Sequence, residues 1–227
     1  MSEYLQSMVK KLTELPTAMW IALVALLALA AVLLVVSRRR TSWSANIIAY
    51  AALAIALSFL LSNIRLYRMP QGGSITPASM LPLMLLGYAF GVVPGLMTGL
   101  AYGVLQFLQT PTILPIPPFF AVCQVVLDYL LAFSALGLGG VFRAKNRADR
   151  PALALGCALC SVLRYACTVL SGVMFFGEYA AGSGQSPLVY SLLYNGAYML
   201  PEAVICVAVA ALIGPRLCRA MRRSARP

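Results

Sequence analysis

The chain contains no histidine, and only 10% of its 227 residues are charged. The first absence excludes a Ser–His–Asp hydrolase, a histidine-ligated zinc site and a haem held by histidine. The second excludes a water-facing surface of this size, because a soluble domain carries about 25% charged residues. Acids are the scarcest class, with 6 Asp and Glu against 17 Lys and Arg, and no two stand three or four residues apart. A membrane enzyme that holds Mg²⁺ around a diphosphate needs more carboxylates than this. No G-x-x-x-x-G-K-[ST] loop occurs, which removes ATP hydrolysis by the P-loop route. No internal repeat supports an inverted-repeat carrier.

What is present is apolar: 61% of the residues. The apolar runs reach helix length rather than the roughly 10-residue alternation of an outer-membrane barrel, so the expected fold is all-α, a polytopic membrane helix bundle. Spans are expected at 18–37, 46–63, 76–90, 92–109, 120–142, 152–177 and 187–214. Basic residues gather at Arg38–Arg40, Arg143–Arg150 and Arg216–Arg226, each just after a span. The positive-inside rule puts these borders in the cytoplasm, with the C-terminus inside and the N-terminus outside the cell membrane. The six cysteines, including the pair Cys157 and Cys160, lie in or at the ends of apolar runs and read as small packing residues.

Ionisable groups at bilayer depth are costly and therefore point to function. Three qualify: Asp128, Arg164 and Glu202. At 1.5 Å per residue, Asp128, Thr168 and Asn195 fall on three helices at one level, on the order of 10–15 Å below the outer surface. Tyr190 stands about a turn higher, and Phe119, Phe120, Tyr129, Phe175, Phe176, Tyr194 and Tyr198 lie at similar or shallower depth. Carboxylate, amide and hydroxyl groups among aromatic rings suit a small flat cation, through charge neutralisation, hydrogen bonding and cation–π attraction. The same groups also suit mutual satisfaction between helices. Arg164 and Glu202 lie deeper, at depths that allow a structural ion pair. Ala45, Ala49, Ala52 and Ala56 share one face of the second span, a surface for close helix contact within the chain or with a membrane partner.

Several stretches together resemble the thiamine-specific substrate-binding (S) components of energy-coupling factor transporters. They are Met69-Pro70-Gln71-Gly72-Gly73-Ser74, Leu127 to Phe133, Leu163-Arg164-Tyr165-Ala166, Ser171 to Gly177, and Tyr190 to Asn195, within about residues 45–215. The resemblance implies a six-helix substrate-binding domain over 42–217, preceded by an extension with an extra helix (1–41) and followed by a basic tail (218–227). It implies no enzymatic activity and no cofactor. It implies capture of thiamine from outside and delivery with a membrane coupling (T) protein and two cytoplasmic ATPases. By the same resemblance Asp128 faces the ligand, Tyr190 and Asn195 match ligand-contacting positions, Phe176 matches an aromatic that is tryptophan in some members, the loop with Gly72 and Gly73 covers the site, and the alanine face meets the coupling protein. Thr168 stands where the family often has histidine. An S component for a related pyrimidine or thiamine precursor, and a stand-alone secondary carrier, are the alternative readings.

Overall fold

The computed structural model describes residues 44–112, 114, 116–143 and 149–225. The expected 18–37 span and the Arg38–Arg40 cluster lie outside the described residues. The order is α1 (Ala45–Asn63), a hairpin of β1 (Tyr67–Arg68) and β2 (Ser74–Ile75), then α2 (Leu81–Phe90) and α3 (Val92–Gln109). There follow α4 (Phe119–Gly140), α5 (Arg150–Phe175), the short α6 (Glu178–Ala181) and α7 (Pro187–Ser224). Five of these helices are long and apolar enough to cross a membrane, and α2 is shorter. This is a multi-pass helical membrane protein.

Two spans differ from expectation. Helix α2 begins at Leu81 rather than 76. Pro82 sits in its first turn, Ala78 adopts φ +63°, and the Thr76 and Ser79 hydroxyls are taken up by Glu202 of α7. Proline at the start and a left-handed residue before it fix that boundary. At the other end, α7 runs on to Ser224, through Pro201 and Pro215, so the expected basic tail from 218 is its last turns.

Those turns have a structural task that a topology signal does not reveal. Helix α2 stops at Phe90, leaving carbonyls without intrahelical partners. Arg143 donates to Ala89 O (2.8 Å), and Arg222 donates to Tyr88 O (2.8 Å) and Ala89 O (3.0 Å). Two cations thus neutralise the negative end of the shortest span.

Packing relies on small residues. A Cβ at Gly87 or Gly95 would strike the Gly137 backbone, so α2, α3 and α4 meet backbone to backbone there. Close approach of this kind is how helices gain dispersion energy where lipid gives no hydrophobic drive. Cys157 and Cys160 are fully buried in the main core, as packing residues.

Helix α4 changes pitch along its length. It is α-helical up to Val125, π over Val126–Leu131, α again over Ala132–Ser134 and 3₁₀ over Ala135–Gly140. The π turn holds Asp128. Single π turns inside helices commonly mark functional positions, because the widened turn re-aims its side chains.

Candidate functional site

A cavity of about 270 Å³ opens among α3, α4, α5 and α7 beneath the loop between β1 and β2. Asp128, Tyr129, Thr168, Phe176, Tyr190, Asn195 and Gly73 all line it. Residues that depth arithmetic puts at one level on three helices therefore meet in one place. Phe120 is the exception: it packs with Leu127, Leu170 and Phe175 in a separate apolar cluster and does not line the cavity. That cluster, built from α4 and α5, takes up its ring.

The glycine loop is clasped onto α7. Tyr190 donates to Gln71 Oε1 (2.7 Å). Tyr194 Oη accepts from Gln71 N (2.8 Å) and donates to Gly72 O (2.9 Å). Gly72 and Gly73 hold φ of +101° and +86°, which glycine adopts readily. Gly73 also lies so close to Tyr198 that a Cβ there would stand 2.7 Å from the ring. Tyr194 and Tyr198, aromatics that the depth count puts near the polar level, line the cavity as well. Their spacing of four from Tyr190 and Tyr194 places all three on one face of α7.

The polar groups inside divide into those that hold the scaffold and those with capacity to spare. Asn195 donates to Ser191 O (3.0 Å) and Ser191 Oγ (3.2 Å), and its Oδ1 accepts from Tyr198 (2.8 Å). The Thr168 hydroxyl donates to Tyr165 O (3.0 Å) on its own helix and sits 3.3 Å from Met199 Sδ. Tyr129 donates to Thr110 O (2.7 Å) and accepts from Thr112 N (3.1 Å), which anchors the proline-rich loop before α4.

Arg164 and Glu202 do not form the direct ion pair that their depths allow. Glu202 accepts from the hydroxyls of Thr76 and Ser79 (2.8 Å from Ser79), tying α7 to the foot of the glycine loop. The Arg164 guanidinium lies 4.3 Å over the Phe133 ring of α4, and its Nε is buried without a hydrogen-bond partner. Residue level along a helix fixes depth but not azimuth, and the two side chains leave their helices toward different neighbours. Both line the cavity.

The alanine stripe on α1 behaves differently from a packing face. Ala45, Ala49, Ala52 and Ala56 are all exposed, whereas the buried positions of that helix are Ala54 and Ser58. Contact within the described residues uses another side of α1.

Comparison with known proteins agrees with this architecture. A solved structure of ThiT from Listeria monocytogenes has the same fold, with TM-score 0.65 and 24% identity, covering 77% of this chain and 96% of that one. The thiamine transporter ThiT of Bacillus subtilis (strain 168) is 36% identical over 169 residues, 66% of this chain and 81% of the relative. The thiamine transporter ThiT of Lacticaseibacillus paracasei is 30% identical over 99 residues, 40% of this chain and 49% of the relative. The profile of the thiamine transporter protein family (Thia_YuaJ) matches residues 48–221. The chain belongs to the thiamine transporter protein family.

Proposed function

We propose that this chain is the membrane-embedded thiamine-capturing subunit, or S component, of an energy-coupling factor uptake system. The observation that carries the reading is the cavity itself. One carboxylate, Asp128, stands on a π turn among aromatic rings, beneath a glycine loop clasped by tyrosines. A carboxylate offers a charge-assisted acceptor to the aminopyrimidine, and the rings of Tyr190, Tyr194 and Phe176 offer faces to the thiazolium cation. The clasp over the mouth makes capture a closing step: thiamine enters from outside, the loop folds onto α7, and release requires Gln71 and Gly72 to let go of the tyrosines.

Energy then comes from partners. The exposed alanine face of α1 supports docking on a membrane coupling protein, since small side chains admit another helix closely. That coupling protein is driven by two cytoplasmic ATPases. The basic residues at the Arg143 and Arg216–Arg223 border lie on the cytoplasmic side, and the glycine loop faces outward. The subunit performs no chemistry of its own and needs no cofactor.

The test is equilibrium titration of the purified protein in detergent with thiamine, followed by calorimetry or tyrosine fluorescence. Binding well below micromolar concentration is expected. A protein that binds no thiamine below about 10 µM overturns the reading, because that affinity is too weak for a dedicated scavenger.

A further inference from the structure

The basic end of the bundle gathers two guanidinium groups on one pair of carbonyls. Arg222 of α7 donates from Nη2 to Tyr88 O (2.8 Å) and from Nε to Ala89 O (3.0 Å). Arg143, just beyond α4, donates from Nη1 to Ala89 O (2.8 Å) and reaches Tyr88 O at 3.4 Å. Both arginines are half-buried, and the Arg222 guanidinium lies 5.5 Å from the centre of the Tyr88 ring. A helix C-terminus carries about half an elementary negative charge. One cation more than balances it, so the second is in surplus. Each guanidinium carries five N–H donors. The two carbonyls engage Nε and Nη2 of Arg222 and Nη1 of Arg143, which leaves donors over on both side chains.

No carboxylate answers this surplus. Among the described residues neither arginine forms an ion pair. Of the 6 acidic residues in the chain, Asp149 alone falls between residues 129 and 177 or after 202. Its backbone N–H and carbonyl are engaged with the Tyr88 hydroxyl, and it stands at the N-terminus of α5, whose dipole favours an anion there. Arg216, Arg219 and Arg223 add further positive charge on the last turns of α7. Burial and the neighbouring Arg222 charge hold the Arg143 guanidinium below its ordinary range, as two like charges with no anion between them require.

Beside this charge the surface is apolar. Val141 and Phe142, the two residues before Arg143, are both exposed. Cations next to exposed apolar side chains at the end of a membrane span suit an anion that arrives with acyl chains. We propose that Arg143 and Arg222 form a binding site for the phosphate of an anionic phospholipid, whose acyl chains lie along Val141 and Phe142. The bound lipid supplies the missing counter-charge and ties the ends of α2, α4 and α7 together. A headgroup of net negative charge is selected, because the same arginines repel the choline cation of a zwitterionic lipid. The site stands at the far end of α7 from the tyrosine clasp, and it is independent of what the cavity binds.

Thermal unfolding of the full chain in detergent tests this, with phosphatidylglycerol, phosphatidylcholine or inorganic phosphate added. Phosphatidylglycerol raises the melting temperature by several degrees and saturably, as linkage requires of a ligand held by the folded chain. Phosphatidylcholine and inorganic phosphate leave it unchanged. The double variant Arg143→Gln with Arg222→Gln loses the rise, although each glutamine amide still offers a donor to the α2 carbonyls. The charge-matched control, Arg150→Gln with Arg216→Gln, removes two exposed cations from the same border and keeps the rise. Arg143→Gln alone gives the same comparison where the double variant does not fold. Native mass spectrometry of the wild type retains one phosphatidylglycerol that the variant at the pair does not. An equal rise with phosphatidylcholine or with inorganic phosphate overturns the proposal. So does no rise in the wild type, a rise retained without the pair, or an equal loss in the control.

Discussion

Replacing Gly73 by alanine separates two reasons for glycine in the loop, and their sum is large enough to measure. The first is backbone. At φ +86° an L side chain costs about 1–2 kcal/mol. The second is contact. The added Cβ would lie 2.7 Å from Tyr198 Cε1 and 2.8 Å from Cζ, well inside van der Waals separation. The ring is not free to retreat, because it is buried and its hydroxyl is tied to Asn195 Oδ1 at 2.8 Å. Overpacking of this kind costs about 1–3 kcal/mol, so the closed loop loses about 2–5 kcal/mol in all. Gly72→Ala supplies the control, because it has φ +101° and nothing within 4 Å of its added Cβ. It should carry only the backbone cost, roughly five- to thirtyfold in affinity, and Gly73→Ala should be weaker again by a factor of about 5–160. Stopped-flow binding of thiamine should place most of this in the dissociation rate, since opening precedes release. On a Tyr198→Leu background the cost of Gly73→Ala should shrink toward that of Gly72→Ala, as coupled neighbours require. Equal effects of the two glycine substitutions, or an unchanged dissociation rate, would refute the idea that Gly73 closes against Tyr198.

Three further outcomes are expected from the same geometry. Asp128→Asn should weaken thiamine binding by about 1–3 kcal/mol with little change in thermal stability, because it removes a charge-assisted acceptor from the ligand rather than from the scaffold; calorimetry beside a melting curve checks both. Glu202→Ala should lower the melting temperature in detergent by several degrees more than Glu202→Gln, since alanine leaves the buried Thr76 and Ser79 hydroxyls without their acceptor at about 1–3 kcal/mol, whereas glutamine keeps an oxygen there. Ala52→Leu on the exposed face of α1 should leave thiamine affinity of the isolated protein unchanged and abolish uptake by cells carrying the whole system; normal uptake would remove the docking role from that face.

Much of the fold is legible in the sequence because length and apolarity set it. The spans at 46–63, 92–109 and 152–177 correspond to α1, α3 and α5 to within a few residues. What hydropathy does not register is polarity satisfied at a distance. Residues 76–80 read as membrane-spanning because alanine, proline and methionine are apolar, yet Thr76 and Ser79 turn that stretch into a bracket for Glu202, 126 and 123 residues away. The end of α7 reads as a tail because Arg216, Arg219, Arg222 and Arg223 are charged, yet Arg222 spends its charge on the open carbonyls of α2. The π turn at Asp128, where α4 packs against α3 and α5, leaves no trace in residue types.

The candidate site is legible for a related reason and illegible for another. Depth along a helix is a count of residues, so Asp128, Thr168 and Asn195 can be brought to one level from the sequence alone. Whether a polar group faces a ligand or a neighbour is a matter of azimuth and of competition among acceptors, which a count does not contain. In the structure the competition is largely won by the protein: the Asn195 amide braces Ser191 and Tyr198, and the Thr168 hydroxyl braces its own helix. This bracing has a consequence for binding. Each satisfied amide or hydroxyl fixes an aromatic or a backbone segment without demanding anything of the ligand, so closure does not have to order those groups. Asn195 holds Tyr198, Tyr198 sets the floor on which Gly73 closes, and Gly72 and Gln71 meet the tyrosines above. Asn195, which lines the cavity, therefore also braces the ring on which the covering loop closes.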